Sequence, residues 1–153
     1  MQLGGHILEQ VGIFILGVCG FLVARHIYRH KNNNKSPLVC PIRFDCQAVT
    51  HSDYSKLFGI PLEILGMTYY ALISLAYLFF IITNGVVPLP LVGLVVFLSF
   101  SAFIFSIYLL GVQIFILKKG CSWCIVSALI CLLIFILTSL NYDFSFITQI
   151  SLK

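Results

Sequence analysis

Four long apolar runs alternate with shorter polar segments along the chain. They cover residues of about 6–28, 61–83, 89–117 and 121–141. A helix that crosses the hydrocarbon core of a bilayer needs about 20 predominantly apolar residues, and each run reaches that length. The pattern therefore predicts an all-α membrane protein, a bundle of four transmembrane helices that forms a single integral membrane domain over residues 1–153.

The longest polar segment is the loop of residues 29–60, between the first two runs. Its second half, from Gln47 to Phe58, is mildly amphipathic. This predicts a short interfacial helix that lies along the membrane surface with Val49, Leu57 and Phe58 facing inward.

Composition supports a membrane protein, because 60% of the residues are hydrophobic and only 9% are charged. Soluble domains have about half apolar and about a quarter charged residues. No charged residue occurs between Glu63 and Lys118. The net charge of +4 is spread over the loops and does not indicate nucleic-acid binding. A cleaved signal peptide is the competing interpretation of the first run, but Lys and Arg are absent before Arg25.

Four of the six cysteines form two pairs at or near predicted membrane surfaces, Cys40 with Cys46 and Cys121 with Cys124. Four spans place both chain termini on one side of the membrane. The first and third loops, and with them both cysteine pairs, then lie on the opposite side. Two dithiols on one membrane face are able to pass electrons between them.

Cys121 and Cys124 stand three residues apart at the predicted start of the fourth helix, so they share one helix face. The positive end of the helix dipole favours a thiolate there, and we expect Lys118 and Lys119 to add to that effect. The thiolate is the form that attacks disulfides. The pair is therefore predicted to be a redox-active dithiol at a membrane boundary.

Three motifs, taken in order, resemble the vitamin K epoxide reductase family in its short bacterial or archaeal form. They are Cys40-x5-Cys46, then Ser55-x-x-Phe58-Gly59-Ile60-Pro61 with Gly66 following, and Cys121-Ser122-Trp123-Cys124 at the start of the fourth span. A lone Cys-x-x-Cys is weak evidence, whereas this ordered set in a four-span chain is specific.

The resemblance implies a four-helix bundle around a quinone, such as menaquinone or ubiquinone. Cys124 would lie next to the quinone and reduce it. Cys121 would exchange with Cys46 through a transient mixed disulfide, and Cys40 would meet an external thiol partner. The implied activity is that of a membrane thiol oxidoreductase that generates disulfide bonds.

The resemblance also implies that Ser55, Phe58 and Cys124 contact the quinone. The vertebrate enzymes hold the quinone carbonyls with an asparagine and a tyrosine, which are Ser55 and Ala128 here. Ser55 still offers a hydroxyl, but the Ala128 side chain offers no hydrogen bond. Many relatives carry a fused thioredoxin-like domain. This chain ends at Lys153, so we expect the partner to be a separate thioredoxin-like protein of the DsbA type.

Two other interpretations of the cysteines do not involve catalysis. Four cysteine ligands suit a zinc site, and Cys121-x-x-Cys124 is a typical half of one, although the spacing of Cys40 and Cys46 is not. Two structural disulfides are the other alternative. A disulfide between Cys121 and Cys124 closes only a tiny loop in a helix, and strained bonds of this kind are usually labile. We therefore expect no bound metal.

The charge pattern and the chemistry predict opposite orientations in the membrane. Every Lys and Arg residue except Lys153 lies on the cysteine side, which by the positive-inside rule places that side in the cytoplasm. Disulfides persist mainly in oxidising compartments outside the cytoplasm. We expect a multi-pass cell-membrane protein, embedded in lipid, with its redox cysteines on the extracytoplasmic face.

Overall fold

The computed structural model of the chain describes residues 2–33, 48–49, 51–83 and 88–151, with side chains described at residue 5 and over 7–33, 48–49, 51–83 and 88–140. Four long helices account for most of these residues. They are α1 (Gln2–Asn32), α2 (Leu62–Ile82), α3 (Leu89–Gly111) and α4 (Ser122–Ser151).

All four helices are long and apolar enough to cross a membrane, within the residues that the structure describes. This confirms the predicted bundle of four spans. The four apolar spans of these helices end within a few residues of their predicted ends. Helix α1 reaches Asn32, beyond the predicted end near residue 28, because Arg25, Arg29 and Lys31 are good helix formers although they are polar. Apolar content marks the membrane-spanning part of a helix and not its full length.

Helix α1 packs along α2 and α4, and α4 packs along α3. The closest approach of α1 to α2 occurs at two glycines of α1. A Cβ atom built at Gly17 would overlap the Ser74 hydroxyl, and one built at Gly20 would overlap the ring of Tyr70. Small residues of this kind allow membrane helices to approach each other closely.

Two tyrosines of α2, one heptad apart, join this helix to α4. Tyr70 is 1% exposed, and its hydroxyl donates a hydrogen bond to the Ser127 carbonyl oxygen at 2.8 Å. The hydroxyl oxygen of Tyr77 lies 3.0 Å from Oγ1 of Thr138. Both tyrosines belong to the buried core of the bundle, so they pack between helices as aromatic residues with a polar end often do.

The last turns of the third span are not α-helical. Helix α3 continues as a π-helix from Val112 to Leu117, and Lys118 then adopts a left-handed conformation with φ of 50°. A left-handed residue is a common end for a helix because it turns the chain away from the helix axis. The following residues lead directly to Cys121 at the start of α4.

The interfacial helix predicted in the first loop is not confirmed. Residues 48–49 are helical, but Asp53–Ser55 form a single 3-10 turn. Lys56–Leu57 then pair with Ile60–Pro61 as a short antiparallel hairpin. The described part of the loop is therefore a succession of turns that ends where α2 begins.

Phe58 and Gly59 form the tip of this hairpin, with φ of 53° and 82°. Positive φ at both central residues is typical of a two-residue turn whose twist matches that of the strands. The turn directs Phe58 outward, and its side chain is 96% exposed rather than inward as predicted. Leu57 is also exposed, whereas Val49 is buried as predicted.

The close approach of α1 to α2 predicts a specific sensitivity at Gly20. We expect Gly20→Ala to lower the free energy of unfolding by about 1–3 kcal/mol, because the added methyl group overlaps the Tyr70 ring. Gly12→Ala is the matched control in the same helix, since a Cβ atom there meets nothing within 4 Å. Thermal unfolding in detergent measures both variants, and equal midpoints would contradict the packing described here.

Candidate active site

The cysteines that begin the fourth span form a closely packed dithiol. Cys121 precedes α4 and is fully buried, and Cys124 lies in the first turn of the helix. Both are free thiols. The backbone N–H of Cys124 donates a hydrogen bond to the Cys121 sulfur at 3.3 Å. The first N–H groups of a helix have no partner within the helix, so the Cys121 sulfur takes the place of a capping oxygen.

This arrangement lowers the pKa of Cys121 below its ordinary value. The largest cause is the hydrogen bond from the Cys124 thiol, and the backbone N–H groups of Cys124 and Trp123 add to it, while burial acts in the opposite direction. Lys118 and Lys119 are exposed and do not contribute to this shift as the sequence had suggested. The helix terminus and the second thiol therefore favour a thiolate at Cys121.

A cavity of about 120 Å³ lies beside the dithiol. Room for one buried water requires about 10–15 Å³ measured in this way, so the cavity admits a considerably larger group. All four spans and the first loop contribute to its wall. Most of the wall is apolar, from residues such as Ile27, Leu109 and Val112, and Cys124 is part of it.

Two polar residues of the cavity wall, Ser55 and Glu63, both bond to Lys31. The ammonium group of Lys31, at the end of α1, lies 3.2 and 3.3 Å from the two carboxylate oxygens of Glu63 and 3.3 Å from the Ser55 hydroxyl. The Ser55 hydroxyl in turn donates to the carbonyl oxygen of Ser52 at 2.7 Å. The group therefore ties the end of α1, the first loop and the start of α2 together.

The structure brings some of the predicted site residues together and separates others. Cys124 and Ser55 both line the cavity, and Cys121 lies behind Cys124 in a buried cluster with Ile27 and Val49. Phe58 lies at the exposed hairpin tip and is not among the residues that line the cavity. Its contact with a quinone stays a prediction.

Cys40 and Cys46 lie outside the described residues, so the loop dithiol stays a prediction as well. The zinc interpretation depends on the same two cysteines. Among the described residues, no group of three or more His, Cys, Asp or Glu side chains is arranged to hold a metal ion.

Sequence reasoning missed two residues of the site, Lys31 and Gln113. The position of Lys31 after the first apolar run suggested only a side chain that extends to the membrane surface, because its acidic partner is 32 residues away in the chain. Gln113 gave a usable signal, since a polar amide within an apolar span usually has a bonding role. Glu63 gives a similar signal as an ionisable residue at the start of an apolar span, and it lines the cavity.

The lowered pKa of Cys121 predicts the pH dependence of its alkylation. A lowered pKa keeps the thiolate present at pH values below those of an ordinary thiol. We expect Cys124→Ala to raise the midpoint of iodoacetamide labelling toward that of an ordinary thiol, because the donor thiol is lost. Cys124→Ser keeps a donor and is the matched control. Mass spectrometry of the Cys121 peptide measures the midpoint, and an unchanged value in Cys124→Ala would refute the assigned cause.

Comparison with known proteins identifies the family of the chain. No curated protein gives a match to this chain. The profile of the family described as "Vitamin K epoxide reductase family" matches residues 11–139. This match covers most of the chain, including Ser55, the cavity and the Cys121–Cys124 dithiol. The chain therefore belongs to the vitamin K epoxide reductase family and is a membrane thiol oxidoreductase.

Proposed function

We propose that this protein transfers electrons from a thioredoxin-like partner to a quinone and so generates disulfide bonds. The observation that supports this most directly is the different environment of the two paired cysteines. Cys124 lines the cavity, whereas the Cys121 sulfur is buried beside Val49 of the first loop. One thiol of the pair thus faces the space for an electron acceptor, and the other lies next to the loop that carries the second pair.

The reaction at the cavity is the oxidation of Cys121 and Cys124 to a disulfide. A bond forms between the two sulfurs, both S–H protons are lost, and two electrons leave the pair. The quinone, as the oxidising substrate, takes up two electrons and two protons and leaves as the quinol. The apolar wall of the cavity suits the ring of a quinone such as menaquinone or ubiquinone, and Cys124 supplies the electrons from within that wall.

Electrons from the loop pair, Cys40 and Cys46, then reduce the Cys121–Cys124 disulfide. Cys46 is three residues before Val49 in the sequence, and three residues of chain span at most about 11 Å. Since Val49 belongs to the buried cluster around Cys121, the loop is able to bring Cys46 to that sulfur. The Cys46 thiolate attacks the Cys121 sulfur of the disulfide and releases Cys124. Cys40 then resolves the mixed disulfide and leaves an oxidised loop pair.

The partner closes the cycle. A separate thioredoxin-like protein of the DsbA type donates two electrons to the Cys40–Cys46 disulfide and acquires a disulfide of its own. Each turnover therefore oxidises one partner dithiol and reduces one quinone. Such a product persists only in an oxidising compartment, so we propose that the redox cysteines face the extracytoplasmic side.

Loss of Cys124 tests the proposed electron path. We expect Cys124→Ala to reduce quinone consumption to the uncatalysed background in an assay with a reduced thioredoxin-like protein and a short-chain quinone, because Cys124 is the only thiol that the described residues contribute to the cavity wall. Cys19→Ala is the matched control, since Cys19 is an exposed free thiol on α1. Full activity of Cys124→Ala, or stoichiometric zinc in the protein as purified without chelator, would contradict the proposal.

Membrane orientation has its own test in intact cells. We expect a membrane-impermeant maleimide to label Cys40 and Cys46 after mild reduction, in a variant that retains no other cysteines. Labelling only after the membrane is permeabilised would place the cysteines in the cytoplasm, as the positive-inside rule indicates.

A further inference from the structure

Gln113 is a polar residue of the third span that both lines the cavity and bonds the backbone of Cys121. It lies in the π-helix, is 6% exposed, and lines the cavity together with Cys124. π-helical turns are rare, and they occur frequently at functional sites. A buried amide in a membrane-spanning segment is costly unless its donors and acceptors are used.

Two oxygen atoms of Gln113 accept hydrogen bonds from the turn that leads to the dithiol. Its backbone carbonyl oxygen accepts hydrogen bonds from the N–H groups of Lys118 and Lys119, the latter at 3.2 Å. Its side-chain Oε1 accepts a hydrogen bond from the N–H of Cys121 at 3.4 Å. The residue therefore fixes the backbone immediately before Cys121.

The nitrogen of the side-chain amide has two N–H protons to donate. Because Oε1 is bonded to the N–H of Cys121, the orientation of the amide group is set and Nε2 is the remaining polar atom. Among the residues that the structure describes, none accepts a hydrogen bond from Nε2. Since Gln113 lines the cavity, an acceptor within the cavity is the available partner.

The positions that hold quinone carbonyls in related enzymes do not offer such a donor here. The Ser55 proton is donated to the Ser52 carbonyl oxygen, and the Ser55 oxygen accepts from Lys31. Ala128 lines the cavity, but its side chain has no polar atom. Glu63 as a carboxylate only accepts hydrogen bonds, and Lys31 already bonds it.

We propose that Gln113 donates a hydrogen bond from Nε2 to a carbonyl oxygen of the bound quinone. The inference rests on the proposed function and names a ligand contact for it. The same side chain would then hold the quinone ring through Nε2 and the Cys121 turn through Oε1. Substrate and dithiol would share one rigid support, which keeps the reacting groups in a fixed relative position.

Binding to the oxidised protein tests this contact without turnover. The probes are 2-methyl-1,4-naphthoquinone and 2-methylnaphthalene, which has the same ring system but lacks the carbonyl oxygens. Isothermal titration calorimetry in detergent gives the Kd of each. We expect Gln113→Met to raise the Kd of the quinone about three- to tenfold, as for the loss of one hydrogen bond, and to leave the Kd of 2-methylnaphthalene unchanged.

Two further variants separate the contact from the shape of the cavity. Ser99→Ala removes a fully buried hydroxyl from the same span, outside the cavity wall, and should change neither Kd. Gln113→His restores an N–H donor and should recover part of the quinone affinity. Gln113→Leu replaces Gln113→Met if the latter fails to fold, as judged by circular dichroism.

The outcomes also separate this inference from the proposed function. An unchanged quinone Kd in Gln113→Met, or an equal rise for both probes, would overturn the Gln113 contact while quinone binding by the wild-type protein stands. If the wild-type protein binds the quinone no more tightly than 2-methylnaphthalene and does not reduce it, the proposed function fails and the contact fails with it.

Discussion

Tyr70 of α2 packs against both α1 and α4, and this packing positions the other elements of the structure. Its ring fills the space that Gly20 leaves on α1, and its hydroxyl donates to the Ser127 carbonyl oxygen on α4. The same hydroxyl oxygen lies 2.8 Å from the Ser127 hydroxyl and 3.1 Å from the Cys131 sulfur. One side chain thus sets the spacing of three spans. Because Ser127 also lines the cavity, this spacing fixes the wall that contains Cys124.

The polar end of the site shows how charge is accommodated beside an apolar bundle. Lys31 directs its ammonium protons to three acceptors, two on Glu63 and one on Ser55, and the two charged side chains are only 10% and 7% exposed. Such a pair contributes little net stability, but removal of one partner typically costs about 3–5 kcal/mol because a buried charge is left alone. The pair therefore defines how the first loop meets α1 and α2, beside the cavity that Glu63 lines.

Apolar run length predicted the four spans closely, because the bilayer imposes it, and the order of cysteine motifs predicted the family. Local contacts overrode the pattern elsewhere. The amphipathic segment before Phe58 forms a 3-10 turn and the first strand of a hairpin rather than a continuous helix, since Phe58-Gly59 adopts a two-residue turn. The thiolate at Cys121 depends on Cys124 rather than on Lys118 and Lys119. Lys31 and Gln113 joined the site through contacts between distant segments, which periodicity along a single chain does not encode.

The proposed electron path requires the Cys121–Cys124 dithiol to transfer its electrons directly to a quinone. A single turnover of the reduced protein, mixed anaerobically with one equivalent of 2-methyl-1,4-naphthoquinone and no partner, tests it most directly. We expect quinol to form at the same rate as the Cys121–Cys124 disulfide, with one disulfide for each quinol. Quinol formation without that disulfide, or a dithiol that stays reduced while quinone is present, would contradict it.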